Sequence, residues 1–484
     1  MNKKMNSNRR EFLRGTALAG LAAFADGCIS ENGGLLGLGT GGSMHGFACA
    51  PMKEIRVGIV GVGSRGSFAA QRLSVFPGVR VTALCDIRPE TVAKQNKWYA
   101  ERNYPKAREY VGGAEDWKRV CDAADVDVIY SCTPRPLHCA INVYGMKAGK
   151  HVLQEVPGVF TLDEAWETVE TAEKTRRHCM MLENSCYGEF EMLALNLVKQ
   201  GKLGEIVECE GGYIHDQRIM QYEPDNGDFW RIKRHMSNHG NYYPTHALGP
   251  LAKCMDINRG DRFDYLVSME TKSASFEQYA SRKFPEGDWR HSAKMVRGDV
   301  NACLIRTING KQIILTHNVS SPRPYSRGHI VVGTSGIFRL FPKYQVCFEE
   351  KNGDRKAEKY FSDEKAETVH QQYQHPLWKA ARDIANKNTG MGHSGGDFIM
   401  DLRWVYCLQN GLPLDTDVYD LAAWSSVVEL SERSVNNRSS AVDFPDFTRG
   451  GWKTARPFDI VSVDLAKMGK IGALHDGGKN TSAM

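Results

Sequence analysis

Residues Glu54–Gly66 read Glu-Ile-Arg-Val-Gly-Ile-Val-Gly-Val-Gly-Ser-Arg-Gly, and no other stretch restricts the fold as strongly. A β-branched apolar run, Ile55–Val60, breaks into Gly61-Val62-Gly63-Ser64-Arg65-Gly66, and a helix-like segment follows from Ser67. A strand, a tight glycine turn and a helix N-terminus together cradle a dinucleotide pyrophosphate. The glycines let the backbone turn sharply and approach the phosphates, and the helix end offers free N–H groups and a positive dipole. Gly61, Gly63, Ser64, Arg65 and Gly66 are therefore the first cofactor-contact candidates. The motif alone is weak and gains weight only inside a βαβ unit.

That unit follows. Val79–Asp86 reads as a second strand ending in an acid, 20 residues after Gly66. A carboxylate there accepts hydrogen bonds from ribose hydroxyls and repels a 2′-phosphate, which favours NAD over NADP. Strands are expected at Asp127–Thr133 and Lys150–Glu155, with a helix between them at Cys139–Ala148. This alternation predicts a doubly wound parallel sheet. The loops after its strands, Thr133–His138 and Glu155-Val156-Pro157, then fall at the nicotinamide half of the cofactor. Thr161-Leu-Asp-Glu164 is a capping box that opens the next helix, Asp163–Arg177.

The 484 residues leave room for a second domain. Met180–Asn184 reads as a strand whose polar end, Asn184, suits the nicotinamide amide. Strands are expected at Glu205–Tyr213, Phe263–Met269, Val300–Thr307, Gln312–Asn318 and Ile330–Gly333, and helices at Tyr187–Lys202, Phe398–Leu408 and Tyr419–Ser431. They suggest an α+β domain with an open, mainly antiparallel sheet, one face against the first domain and one towards substrate. Asn238–Pro250 sets Asn, Tyr and His among glycines and prolines, poor core material but suited to binding hydroxyls and moving protons. His246 is the main acid/base candidate. The spacing of His235, His239 and His246 lacks a readable partner carboxylate, so no metal site is assigned. Gly392–Asp397 is a glycine-rich turn before a helix; His393 and Asp397 either reach the site or Asp397 caps the helix.

A net charge of +5 from dispersed Lys and Arg gives no nucleic-acid patch. Thirteen cysteines without a CxxC pair argue against a disulfide scaffold. At the N-terminus, Asn8-Arg9-Arg10-Glu11-Phe12-Leu13-Arg14 before the apolar run Ala17–Ala25 resembles a twin-arginine export signal, whose pathway carries proteins already folded with their cofactor. Ala25-Asp26-Gly27-Cys28 resembles a lipoprotein cleavage box, which makes Cys28 a lipid-anchor candidate and the location periplasmic or membrane-anchored. The division expected is 1–28 signal, 29–52 flexible linker, 53–183 Rossmann domain, 184–460 substrate domain and 461–484 tail.

The glycine turn, Asp86, Thr133-Pro-x-x-x-His138 and Glu155-x-Pro157 resemble the Gfo/Idh/MocA sugar oxidoreductases. That family usually has Glu-Lys-Pro with the Lys near hydride transfer; this chain has Val156. Trp230-Arg231, Tyr243-Pro-Thr-His246 with Gly249-Pro250, and Arg323–Gly328 are similar to glycoside hydrolase family 109, NAD-dependent α-N-acetylgalactosaminidases on the same fold. The resemblance implies NAD contacts from Ser64, Arg65, Asp86, Arg135, Pro136, Leu137, His138, Glu155, Val156 and Asn184. It implies sugar contacts from Tyr213, Arg231, Tyr243, Pro244, Thr245, His246 and Tyr325. The reaction it implies is hydrolysis by oxidation at C3, elimination, addition of water and return of the hydride. His246 then serves the C3 hydroxyl, and Tyr243 or Tyr325 the C2 proton or the leaving group. A sugar dehydrogenase with exchangeable NAD and a non-catalytic sugar-binding protein are the alternatives, and an open sheet allows a homo-oligomer.

Overall fold

Six parallel strands carry the first domain: β1 (Ile55–Val60), β2 (Val79–Asp86), β3 (Arg108–Val111), β4 (Val128–Ser131), β5 (His151–Gln154) and β6 (Cys179–Met181). They are ordered β3-β2-β1-β4-β5-β6 in a computed structural model that describes residues 42–224, 229–349, 358–388 and 393–474. The twin-arginine segment and Cys28 lie outside the described residues. Strand order reverses between β1 and β4, which opens a crevice at the carboxyl ends of the strands. Helices cover both faces, so the central strands are buried on both sides rather than alternately; every residue of β4 and β5 is buried. The turn after β1 requires its glycines. Gly61 sits at φ +88°, where a Cβ would stand 2.7 Å from the Cys132 carbonyl oxygen, and a Cβ on Gly66 would stand 1.8 Å from the Gly61 oxygen. The capping box forms as expected: Thr161 Oγ1 accepts from the Glu164 N–H, and Glu164 accepts from the Thr161 N–H.

The second sheet has eight strands: β7 (Ile206–Ile214), β8 (Phe263–Glu270), β9 (Asn301–Thr307), β10 (Gln312–Asn318), β11 (Ser326–Gly333), β12 (Gly336–Arg339), β13 (Gln345–Phe348) and β14 (Val442–Asp443). Their order is β13-β12-β11-β7-β10-β9-β8-β14, with β7 and β10 parallel and the other pairs antiparallel. Period-two burial is plain in β9, where Cys303 and Ile305 point inward and Ala302, Leu304 and Arg306 outward. The inner face packs against helices Thr245–Cys254 and Val418–Asn436. A Cβ on Gly211 of β7 would meet Ala247 and Leu251 of the first of these at 2.9 Å, so the small residue sets the close approach. One expectation needs correction here. The packed face and the substrate face are the same face, because the Tyr-Pro-Thr-His segment is the start of the helix that covers the sheet. The outer face shows Met269 and Leu304 to solvent.

The described residues from Ser43 onward pack as one unit. Helix Gly396–Asn410 returns to the first domain, where Arg72, Asp397 and Asp401 are all buried and Arg72 Nε lies 2.7 Å from Asp401. Tyr130 and Trp404 also donate to Asp401. Arg72 also lies 3.8 Å from Asp397, so Arg72, Asp397 and Asp401 form one buried charge cluster. Parts of the expected linker and tail pack onto the domains. Within the linker, Met44 is buried and its N–H meets the Tyr419 hydroxyl at 3.1 Å. In the tail, helix Leu465–Met468 buries Met468, and the Gly472 N–H donates to the Val75 carbonyl. Among the described residues no helix is long and apolar enough to cross a membrane.

Candidate active site

At the crevice, helix Ser64–Leu73 begins without a side-chain cap and without an acidic residue in its first turn. Its leading N–H groups are left for an anion, as a pyrophosphate cradle requires. Asp86, at the end of β2, accepts the Val62 N–H at 2.8 Å and the Arg88 N–H at 2.9 Å. The Arg88 guanidinium also pairs with it, Nε at 3.1 Å, so ribose hydroxyls would share this carboxylate with Arg88. At the other end of the crevice, Asn184 Nδ2 donates to Asp397 at 2.7 Å, while its buried Oδ1 has no partner in the protein. That orphaned acceptor suits a carboxamide N–H. These features fit NAD.

Arg65 bridges Glu155 at 2.7 Å and Asp397 at 2.8 Å, tying the glycine turn to the loop after β5 and to the second domain. Burial opposes charge on Asp397, but Arg65 and Arg72 outweigh it and hold its carboxyl well below the ordinary range. His138 is buried, with Nδ1 2.8 Å from the Pro157 oxygen and Nε2 3.1 Å from the Thr133 oxygen. Desolvation pushes its pKa down to about 4, so the ring is neutral and its one proton serves the shorter contact. The imidazole thus joins the two loops that face the cofactor. Val156 is buried in the core, and no amine stands at that place. Pro136 and Leu137 are exposed on the same loop as Arg135.

The sugar half is built on the first turn of helix Thr245–Cys254. His246 Nδ1 lies 2.7 Å from Glu183 Oε1 and Nε2 lies 3.2 Å from the Tyr243 hydroxyl. A carboxylate has no proton to give, so Nδ1–H donates to it and Nε2 accepts from Tyr243. Glu183, only 1% exposed, follows β6 and also accepts the Ser185 N–H. Burial works against its charge, yet His246 lowers its pKa below the usual value. Thr245, fully buried, packs beside it. Pro244 is the residue before the helix.

Tyr213 of β7 packs on Tyr243 with ring centroids 4.4 Å apart, and its hydroxyl accepts from Gln217 at 2.7 Å. Burial raises Tyr243 well above the ordinary phenol range, with Tyr213 adding to the effect and Arg135 opposing it. Tyr213 and Tyr325 are also raised, chiefly by burial. All three phenols therefore hold their protons, and none is prepared as a base. Tyr325 stands at the rim, 42% exposed, edge-on to His215. Arg231 stacks on Trp230 at 4.3 Å. The structure thus gathers Tyr213, Tyr243 and His246 tightly and leaves Tyr325 and Arg231 at the periphery.

His393 faces His246 at 6.3 Å between ring centroids, and its Nδ1 lies 3.0 Å from Asp397. The crevice therefore holds two imidazoles, each backed by a buried carboxylate. Asp397 binds His393, Arg65 and Asn184 rather than capping its helix. Sequence reasoning missed Glu183 and the stacking of Arg135 on Tyr243 at 4.3 Å. The signal for Glu183 was an acid at the carboxyl end of a parallel strand, beside the Asn184 already singled out. His235 and His239 take other partners: His235 Nε2 lies 3.3 Å from the Tyr242 hydroxyl, and His239 pairs with Glu270.

Comparison with known proteins gives the family and the fold. Residues 187–454 match the model of the glycosyl hydrolase 109 C-terminal domain, and residues 55–183 match the NAD-binding Rossmann fold of an oxidoreductase family. The first domain is thus an NAD-binding domain. A glycosyl hydrolase family 109 protein of Shewanella pealeana is 40% identical over 95% of this chain and 100% of its own length. One from Solibacter usitatus is 42% identical over 93% and 99%. Among solved structures, levoglucosan dehydrogenase with NADH and L-sorbose covers 81% of this chain and 100% of its own at TM-score 0.61 and 18% identity. Scyllo-inositol dehydrogenase from Lactobacillus casei covers 81% and 99% at 0.56 and 15%. These two share the fold. With a family model over more than half of its length and relatives near 40% identity from end to end, the chain belongs to glycosyl hydrolase family 109.

Proposed function

We propose that the enzyme hydrolyses terminal α-N-acetylgalactosaminides and keeps its NAD bound through turnover. One observation carries this reading. The carboxylates bordering the site, Glu155, Glu183 and Asp397, are each engaged by arginine or histidine. Among the described residues no free pair flanks the cleft as two-carboxylate glycoside hydrolysis needs. Bound NAD supplies a reversible hydride acceptor for a ring carbon of the sugar. The protein's part is proton work and positioning. His246 Nε2 takes the proton of the C3 hydroxyl and later returns it, while Glu183 stabilises the imidazolium that forms. Tyr243, a protonated phenol, donates to the oxygen at that position. His393, held by Asp397, serves the C2 proton or the leaving oxygen, the work that the sequence reading left to a tyrosine. Tyr213, Arg231, Thr245 and Tyr325 enclose the sugar.

Release of p-nitrophenol from its α-N-acetylgalactosaminide without added NAD tests the reading. Absence of aryl glycoside cleavage, with reduction of added NAD by a free sugar, overturns it in favour of a dehydrogenase. We also propose export by the twin-arginine pathway from the Asn8–Arg14 pattern. Replacing Arg9 and Arg10 by Lys blocks translocation if so, read by cell fractionation.

A further inference from the structure

Beside the sugar site lies a cavity of about 220 Å³ walled by Phe160, Trp230 and Tyr242, with Pro136, Glu164 and Arg234 completing it. Its chemistry is unlike the rest of the crevice. Among the described residues the Arg234 guanidinium has no hydrogen bond or ion pair; it lies 4.6 Å over Phe160 and its Nε is buried. Arg135 lies 5.1 Å from Trp230 and from Tyr242, with a buried Nη1 that has no partner. Behind the Tyr242 ring, at 4.2 Å, is Arg297, 1% exposed, whose single hydrogen bond goes to the His239 carbonyl. Arg135 and Arg297 thus flank the Tyr242 ring and Arg234 lies over Phe160, and among the described residues none of the three has a carboxylate bound to it.

The carboxylates nearby are engaged elsewhere. Glu164 accepts the N–H groups of Phe160 and Thr161 at 2.7 and 3.2 Å. Glu432 accepts from Asn238 and from the His239 N–H, and Glu270 holds His239 and the Gly240 N–H. Burial lowers Arg234 below its ordinary pKa, with Arg135 adding to this and Glu432 and Glu164 opposing it. Like charges held this way in a partly dry pocket are unfavourable until an anion arrives. Guanidinium forks present paired donors to carboxylate or sulfate oxygens.

Resting on the sugar-cleaving reading above, we infer that this pocket binds the anionic substituent of an acidic sugar, a carboxylate or a sulfate ester, carried on the substrate glycan. Arg135 connects the two places: it lies over Trp230 and Tyr242 of the cavity wall and stacks on Tyr243, which bonds His246. The volume is below the roughly 300–1,000 Å³ of sites for drug-sized ligands, so it holds one ring or substituent rather than a chain.

Calorimetric titration of the NAD-loaded enzyme tests this with three probes: methyl α-N-acetylneuraminide, N-acetylgalactosamine 6-sulfate and neutral N-acetylgalactosamine. At least one acidic probe is expected to bind about tenfold tighter than the neutral sugar. Preference for the first identifies a carboxylate, and for the second a sulfate. Arg234→Met removes that advantage without changing affinity for N-acetylgalactosamine; Arg234→Lys, which keeps charge but loses the fork, gives an intermediate value. Equal binding of acidic and neutral probes, or an undiminished preference in Arg234→Met, overturns the inference. Cleavage of the neutral aryl glycoside is scored separately. Its failure alongside Arg234-dependent anion binding removes the hydrolase reading and leaves the pocket standing.

Discussion

Replacing Glu183 by Gln removes one charge and no heavy atom, so it isolates the carboxylate behind His246. The 2.7 Å contact is charge-assisted, and Glu183 is fully enclosed. Hydrogen bonds to charged groups contribute about 1.5–3 kcal/mol. At about 1.4 kcal/mol per tenfold, kcat/KM falls roughly 10- to 150-fold. The Gln oxygen can still accept from Nδ1–H and from the Ser185 N–H, so the ring stays oriented and the loss reflects imidazolium stabilisation. The Gln amide enters the space of Oε2, which is buried without a partner, and this costs some stability. Linkage gives a second readout. The Glu183 pKa is lowered in the fold, so its charge stabilises above the unfolded value of about 4.3, and that stabilisation is lost as pH falls through the folded value. The variant lacks this contribution at every pH, so the gap in Tm between the two proteins narrows from about pH 6 towards pH 3. Steady-state kinetics on the aryl glycoside, with NAD content measured in each preparation, is the assay. A kcat/KM within about twofold of wild type at equal NAD content would refute the role given to Glu183.

His246→Ala should cost about 10²–10⁴-fold in kcat with NAD still bound, as expected for loss of a general acid/base; near-full activity sinks the assignment. His393→Gln should lower kcat by at least about tenfold with little change in KM, and an effect confined to KM makes it a binding residue. Gly66→Ala would place a Cβ 1.8 Å from the Gly61 oxygen, so protein purified from it should release little or no dinucleotide on denaturation. Asp401→Ala removes a charge-assisted hydrogen bond from buried Arg72, which keeps Asp397 at 3.8 Å, and should destabilise by about 1.5–3 kcal/mol in chemical unfolding; a change under about 0.5 kcal/mol contradicts the packing described.

What the sequence alone determined was local. The glycine turn and Asp86 are legible because the pyrophosphate site imposes backbone conformations that few residues adopt, all within one βαβ unit. The Thr161 capping box, strand β10 and the Tyr-Pro-Thr-His segment are equally local, each set by neighbours a few positions away. The hairpin of β12 and β13 was not legible, since its four-residue strands show too little alternation to separate from loop. The tertiary structure decided which groups work together. Glu183 and His246 are 63 residues apart, and Arg65 and Asp397 are 332 apart. Only the return of the second domain across the carboxyl ends of β1, β4, β5 and β6 joins them. Burial in that crevice then decided protonation: it keeps Tyr243, Tyr213 and Tyr325 protonated, beside two carboxylate-backed imidazoles. Side-chain protonation depends on desolvation and on charges brought in from distant parts of the chain, and neither is written in the spacing of residues along it.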